Sequence, residues 1–155
     1  MAAAPQVLAV DVGTVRIGLA RTDESGRIAL PLETVAAEPR EGALDKIVAV
    51  ARSIRAADII VGFPLQLDGV EGVAARRSRT FAAELKRRVP CRVGLWDERL
   101  TTVVAEQAMR DVGTARDRKK AVVDQVAAAL LLQNFLDRRH AEPREGGVDG
   151  ATQGT

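Results

Sequence analysis

Three acidic positions stand where a metal-dependent site would need them. Asp11 lies within the apolar, β-branched run Val-Leu-Ala-Val-Asp-Val at residues 7–12 and is followed by Gly13. A carboxylate in such a run is costly to bury without a metal or a partner; the plainer alternative is an Asp that accepts backbone hydrogen bonds in a turn. Asp97-Glu98-Arg99 follows a second apolar run at residues 91–96, and alone it would be read as an exposed strand end. Asp124 lies two turns inside the last helical segment, too deep to be an N-cap. Its face continues through Ala127, Ala128 and Leu131, at i+3, i+4 and i+7. Small alanines beside a carboxylate let a helix approach a sheet while aiming the acid at it. The flanking Val123, Val126 and Leu130 argue against a solvated face.

Together the three acids fit one chemistry. Mg²⁺ and Mn²⁺ prefer oxygen ligands and are held by a few carboxylates together with substrate phosphate and water. Two such ions can activate water on one side of a phosphodiester and stabilise the leaving oxygen on the other. Converging carboxylates repel one another unless positive charge joins them. Asp11, the Asp97-Glu98 pair and Asp124 are therefore the candidate catalytic and metal-ligating positions, with Mg²⁺ or Mn²⁺ as the expected cofactor.

The elements that must position these acids can be read from periodicity. Strands are expected over residues 7–12, 17–22 and 28–35, with Asp23-Glu24-Ser25-Gly26 as a turn. Residues 41–55 carry apolar Leu44, Ile47, Val48, Ala51 and Ile54 at helical spacing. Residues 58–62 form a nearly all-apolar strand of the kind buried on both faces. A loop with Pro64, Asp68 and Gly69 leads to a helix over 73–88, with Ala74, Phe81, Leu85 and Val89 expected to face inward. A fifth strand spans 91–96, a short helix 101–110 and the longest helix 117–136. The order βββαβαβαα predicts an α/β fold: a mixed five-stranded sheet, strands 1 to 3 antiparallel, strands 4 and 5 parallel to strand 1 through right-handed crossovers. Sites in such sheets gather beyond the carboxyl ends of the parallel strands, just after Val10, Val61 and Trp96. One domain is expected over residues 1–137, with a disordered, Gly-rich polar tail over 138–155.

Composition narrows the alternatives. The chain has 155 residues, 46% hydrophobic and 28% charged, enough for one domain rather than two. A single cysteine, Cys91, excludes an internal disulfide and a thiol-anchored zinc site, and the lone histidine, His140, lies in the polar tail, which argues against His-based metal clusters and Ser-His-Asp catalysis. No apolar run is long enough to span a bilayer, and the opening Met-Ala-Ala-Ala-Pro-Gln has no basic n-region, so a cytoplasmic protein without a membrane partner is expected. A net charge of +2 means that any surface for a polyanion must come from local clusters.

At this point the motifs resemble a known family. Asp11-Val12-Gly13-Thr14-Val15-Arg16-Ile17-Gly18-Leu19-Ala20 resembles the Asp-x-Gly-x-x-x-Ile-Gly-x-Ala opening of the YqgF/RuvX family, described as pre-16S rRNA nucleases and Holliday-junction-resolvase-like proteins. Gly62-Phe63-Pro64-Leu65-Gln66-Leu67-Asp68-Gly69 is similar to its Gly-x-Pro-x-x-x-Asp-Gly loop. Asp97-Glu98-Arg99-Leu100-Thr101-Thr102 is similar to its Asp-Glu-Arg-x-(Ser/Thr)-Thr element, and Asp124-Gln125-Val126-Ala127-Ala128 to its Asp-x-x-Ala-x helix. Four motifs in order over residues 7–136 make the resemblance specific; Phe63 and Gln66 depart from the family's Leu and Asn. The resemblance implies an RNase H-like nuclease with Asp11, Glu98 and Asp124 as catalytic acids, acting on the 5′ end of precursor 16S rRNA or on branched DNA.

Basic residues supply candidate phosphate contacts. Arg16 and Arg99 lie inside the motifs, where they could neutralise substrate phosphate or orient the acids. Arg116, Arg118, Lys119 and Lys120 enter the last helix ahead of Asp124, and Lys119 and Lys120 are the substrate-binding candidates there. A second cluster, Arg76, Arg77, Arg79, Lys86, Arg87 and Arg88, is more ordinary as a solvated face. Aromatic residues are 3% of the chain, and Trp96 suits the core better than a base-stacking platform. Structured RNA or branched DNA, recognised by shape and backbone, is the expected partner of a monomer or homodimer. Two rivals remain. Actin-like and sugar-kinase-like ATPases share the Asp-x-Gly-Thr opening, but their cleft needs two such domains. A non-catalytic ribosome-associated factor would have little use for all three acids.

Overall fold

Alternation along β1 (Gln6–Val12) decides which side chains can reach a site. Leu8 and Val10 turn to one face of the sheet, and Val7 and Ala9 turn to the other, the face of Asp11. The structure is a computed structural model that describes residues 4–100 and 116–141. Next come β2 (Arg16–Thr22), β3 (Ala29–Ala36), α1 (Arg40–Ser53), β4 (Ala56–Phe63), α2 (Val73–Lys86) and β5 (Arg92–Asp97). A 3-10 turn (Glu98–Leu100) and the long helix α3 (Arg116–Ala141) complete the described elements. The sheet order is β3-β2-β1-β4-β5. β1 runs antiparallel to β2 and parallel to β4, and β4 runs parallel to β5, the mixed α/β sheet expected.

Each face of the sheet is covered by helix. Leu8, Val10, Ile17, Leu19, Ile59, Val61, Val93 and Leu95 form one core with Leu44 and Ile47 of α1 and Phe81 and Leu85 of α2. On the opposite face, Val7, Ala9, Ala20 and Ile60 pack against Ala128, Leu131, Leu132, Phe135 and Leu136 of α3. Burying this stripe of α3 is what fixes the helix on the sheet, and each large aliphatic side chain removed from water contributes about 2 kcal/mol. Pro31 lies in β3, an edge strand, where a missing amide is tolerated; the pairing register shifts nearby, between Leu19 and Ala20.

Two expectations need correction. The inward face of α2 is set by Ala75, Ser78, Phe81, Ala82 and Leu85, while Ala74 is exposed. Alanines sit on both sides of the stripe, so the sequence marks the helix but leaves its rotation open by one residue. The last helix also runs on to Ala141, taking in the first four residues of the segment assigned to the tail. Those four residues have a tertiary anchor: Arg139 lies over the Phe135 ring and 3.7 Å from the fully buried carboxylate of Asp58. The helix expected over 101–110 and the remainder of the tail lie outside the described residues.

Candidate active site

Parallel pairing brings the ends of β1, β4 and β5 to one edge of the sheet. The start of β2 lies at the same edge, because Val12 pairs with Ile17 and Asp11 with Gly18. β5 ends at Asp97, opposite Phe63 of β4, and the chain turns at once into the 3-10 turn that carries Glu98. Asp124 comes from the other layer, on α3, with its backbone resting above Gly18. The fold thus gathers the three acids from three separate elements at the edge where the sequence directed attention.

Two glycines make that approach possible, a role sequence reasoning missed. A Cβ at Gly18 would stand 2.0 Å from the Asp124 carbonyl oxygen, far inside van der Waals contact. A Cβ at Gly62 would stand 2.7 Å from Glu98 Oε2 and 3.3 Å from Leu131 Cδ2. A glycine within a strand is a signal of close approach by another backbone or group; the sequence could have given that much, but not which group approaches.

α3 is tethered along its length. The Gln133 side chain accepts a hydrogen bond from the Ala29 amide (2.9 Å) and donates to the Arg27 carbonyl (3.1 Å). Trp96 donates from Nε1 to Asn134 Oδ1 (3.3 Å) and meets Phe135 edge-on, so it is part of the core, as expected. At the far edge Asp58 is paired by Arg92 (2.8 Å) and faces Arg139. These contacts fix the rotation of the helix that presents Asp124.

The electrostatics at the edge are those of unpaired acids. Asp11 is raised to about 6, first by burial and then by the negative charge of Asp124. Glu98 is raised to about 7, first by burial, then by Asp11 and Asp97. That each of these carboxylates is also opposed by a neighbouring acid places the groups near one another. Among the described residues neither Asp11 nor Glu98 has an ion-pair partner. Such carboxylates suit a divalent cation, which would supply the missing positive charge. The set is not a closed cage: among the described residues no three Asp, Glu, His or Cys side chains form a ready group for an ion. Asp124 is instead engaged by Arg16, whose Nε donates to Oδ2 at 2.8 Å.

The other candidates fall as follows. The Arg99 guanidinium is committed to Asp97, with Nε 3.1 Å from Oδ1 and Nη2 2.7 Å from Oδ2, while the Arg99 amide donates to Oδ1 at 2.9 Å. Burial works against ionisation of Asp97, but these bonds hold its carboxyl below the usual range. Both Asp97 oxygens are thereby occupied, whereas the neighbouring Glu98 has no cation among the described residues. Arg99→Ala is expected to free Asp97 and loosen the turn that aims Glu98. Affinity of this edge for a divalent cation should fall about tenfold, the lower end of what loss of a residue orienting a ligand costs, with the melting temperature nearly unchanged; a calorimetric Mn²⁺ titration and a thermal melt together check this. Lys119 and Lys120 fall on the opening turns of α3, where side chains lie outside the described residues. In the cluster on α2 and beyond it, Arg79 pairs with Glu71 and Arg88 with Glu41, so those two are committed within the fold.

Comparison with known proteins agrees with this geometry. A family model described as RuvX, Holliday junction resolvase, matches residues 5–138. A Thermobifida fusca protein is 48% identical over 138 residues, covering 84% of this chain and 86% of the relative. One from Chloroflexus aurantiacus is 42% identical over 137 residues, covering 88% and 90%. One from Halalkalibacterium halodurans is 40% identical over 136 residues, covering 86% and 97%. Each is provisionally named a pre-16S rRNA nuclease. Among solved structures, Fowlpox virus resolvase with Holliday junction DNA superposes with a TM-score of 0.52 at 10% identity, covering 86% of this chain and 97% of that one. RuvC of T. thermophilus with a Holliday junction substrate gives 0.50 at 15% identity, covering 87% and 96%. These likenesses carry the fold, which is RNase H-like. The match over residues 5–138 and the identities of 40–48% carry the kinship: the chain belongs to the RuvX family.

Proposed function

We propose that the chain is a divalent-metal-dependent endonuclease of the cytoplasm that hydrolyses phosphodiester bonds in structured nucleic acid, with the 5′ end of precursor 16S rRNA as its first candidate substrate. The observation that carries this reading is the gathering of Asp11, Glu98 and Asp124 at one sheet edge, two of them half-buried acids with no cation among the described residues. Asp11 and Glu98 would hold the ion, and Asp124 would join them as third ligand. Bound Mg²⁺ or Mn²⁺ supplies activation of water and stabilisation of the leaving oxygen. The protein would contribute position, with strand β1, the turn after β5 and helix α3 each supplying one carboxylate. Arg16, Lys119 and Lys120 are the proposed contacts to substrate phosphate. The relatives' names favour rRNA, and the family's description keeps branched DNA as the alternative. No helix among the described residues is long and apolar enough to cross a membrane.

The test is cleavage of matched precursor rRNA and four-way DNA with Mg²⁺, Mn²⁺, Ca²⁺ or a chelator. Cleavage is expected with Mg²⁺ or Mn²⁺ and only weakly with Ca²⁺, whose larger and looser shell fits an in-line displacement badly. Chelator-resistant cleavage by pure protein would remove the metal mechanism. Two symmetric nicks across a junction need two sites related by a two-fold axis. A stable dimer that nicks junction DNA in this way and ignores the rRNA would move the substrate to branched DNA.

A further inference from the structure

We propose that Arg16 is a displaceable counter-ion: it neutralises Asp124 before metal binds, then releases that carboxylate to the metal and turns its own charge to the substrate phosphate. The proposal rests on the metal-dependent reading above. Three observations support it. Arg16 Nε lies 2.8 Å from Asp124 Oδ2, so one of the two oxygens this carboxylate could offer a metal is already engaged by a cation. The engagement is one-sided: Asp124 has this cation, while neither Asp11 nor Glu98 has one among the described residues. Finally, the Arg16 side chain is 34% exposed and Asp124 28%, so the pair forms at the open rim, where the guanidinium can swing outward without crossing the core.

Charge explains the order of events. A divalent ion placed among three carboxylates repels a guanidinium on one of them, and the guanidinium, always protonated, cannot lose its charge to relieve the repulsion. The balance of charge then favours its departure from the carboxylate. Beside the metal site it would then meet the same phosphate that approaches the metal, where its planar donors fit phosphate oxygens. A permanent orienting role for Arg16 predicts something different: removing it would misplace Asp124 and weaken metal binding.

The two roles therefore have opposite signs in one measurement. Mn²⁺ affinity is measured by calorimetry on full-length wild type, Arg16→Gln and Arg16→Lys, all free of nucleic acid. Affinity for a four-way DNA and for an rRNA precursor is measured in Ca²⁺. A displaceable counter-ion predicts that Arg16→Gln binds Mn²⁺ more tightly, on the order of tenfold for one cation removed from beside the site, and binds both nucleic acids several-fold more weakly. Arg16→Lys, which keeps the charge, should stay near wild type in Mn²⁺ affinity, so it also controls for a folding defect in the glutamine variant. Equal or weaker Mn²⁺ binding by folded Arg16→Gln overturns the proposal and leaves the metal mechanism standing. Failure of wild type itself to bind Mn²⁺ overturns both.

Discussion

Asp11→Asn, Glu98→Gln and Asp124→Asn are each expected to reduce metal-dependent cleavage at least a hundredfold while the metal-free protein stays folded. Loss of an outer-shell partner alone costs about 10- to 100-fold in a metal site, so loss of a ligand belongs at or beyond the upper end. The amide keeps the shape of the acid and removes the charge that attracts the ion. The sign of the stability change follows from linkage. Asp11 is raised from 3.8 to about 6 and Glu98 from 4.5 to about 7, so between roughly pH 4 and 7 the folded protein binds more protons than the unfolded chain. Its stability must then fall as pH rises through that window. Glu98→Gln cannot ionise at that position and escapes Glu98's share of the fall, keeping only that of Asp11. At pH 8 without metal it should be the more stable protein, by on the order of 2 kcal/mol after allowing for solvent around a partly open site, and the advantage should vanish near pH 4. Urea denaturation at both pH values, in chelator, decides the matter. An advantage that persists unchanged at pH 4 would mean that it arises from packing and not from charge, and near-wild-type turnover in two of the three variants would remove these residues from the chemistry.

Gly18→Ala should be the most damaging single-methyl change in the sheet. Its Cβ would come within 2.0 Å of the Asp124 carbonyl oxygen and 3.1 Å of Asp124 Cβ. The obstacle is helix backbone, which cannot rotate away as a side chain can. Either α3 lifts from β2 or β2 distorts, and overpacking of this kind costs about 3 kcal/mol. Lifting α3 also carries Asp124 out of reach of Asp11, so activity should be lost even in the fraction that remains folded. Gly42→Ala is the control. In α1 its Cβ meets only Pro39 Cγ at an ordinary 3.5 Å, and alanine is the better helix former by up to about 1 kcal/mol. Chemical denaturation should therefore move the two variants in opposite directions. If Gly18→Ala unfolds at the wild-type midpoint and still cleaves, the close seat of α3 on β2 is not needed.

Much of the site was legible because the relevant signals are local. Alternation in residues 7–12 puts Asp11 on one face at a strand end, and the order of periods along the chain requires β1, β4 and β5 to be parallel with their ends at one edge. The helical stripe Asp124, Ala128, Leu131 carries its own direction, since residues at i, i+4 and i+7 must share a face. What stayed hidden depends on partners distant in sequence. Arg16 and Asp124 are 108 residues apart, and no spacing rule links a strand start to a helix so far along the chain. Arg99 stands two residues from Asp97, yet whether it would clasp that acid or face solvent depended on how the turn after β5 closes. Ala74 and Ala75 are chemically alike, so only packing against β4 and β5 could choose between them. That α3 continues past the expected end at Leu136 goes with Asp58, a buried carboxylate at the far edge of the sheet that Arg139 reaches from α3. Composition and period thus determined the elements, their order and the edge at which the acids meet. Only the tertiary structure decided which cation answers which acid and how closely the helix can settle, because those depend on distances between elements that period along the chain does not encode.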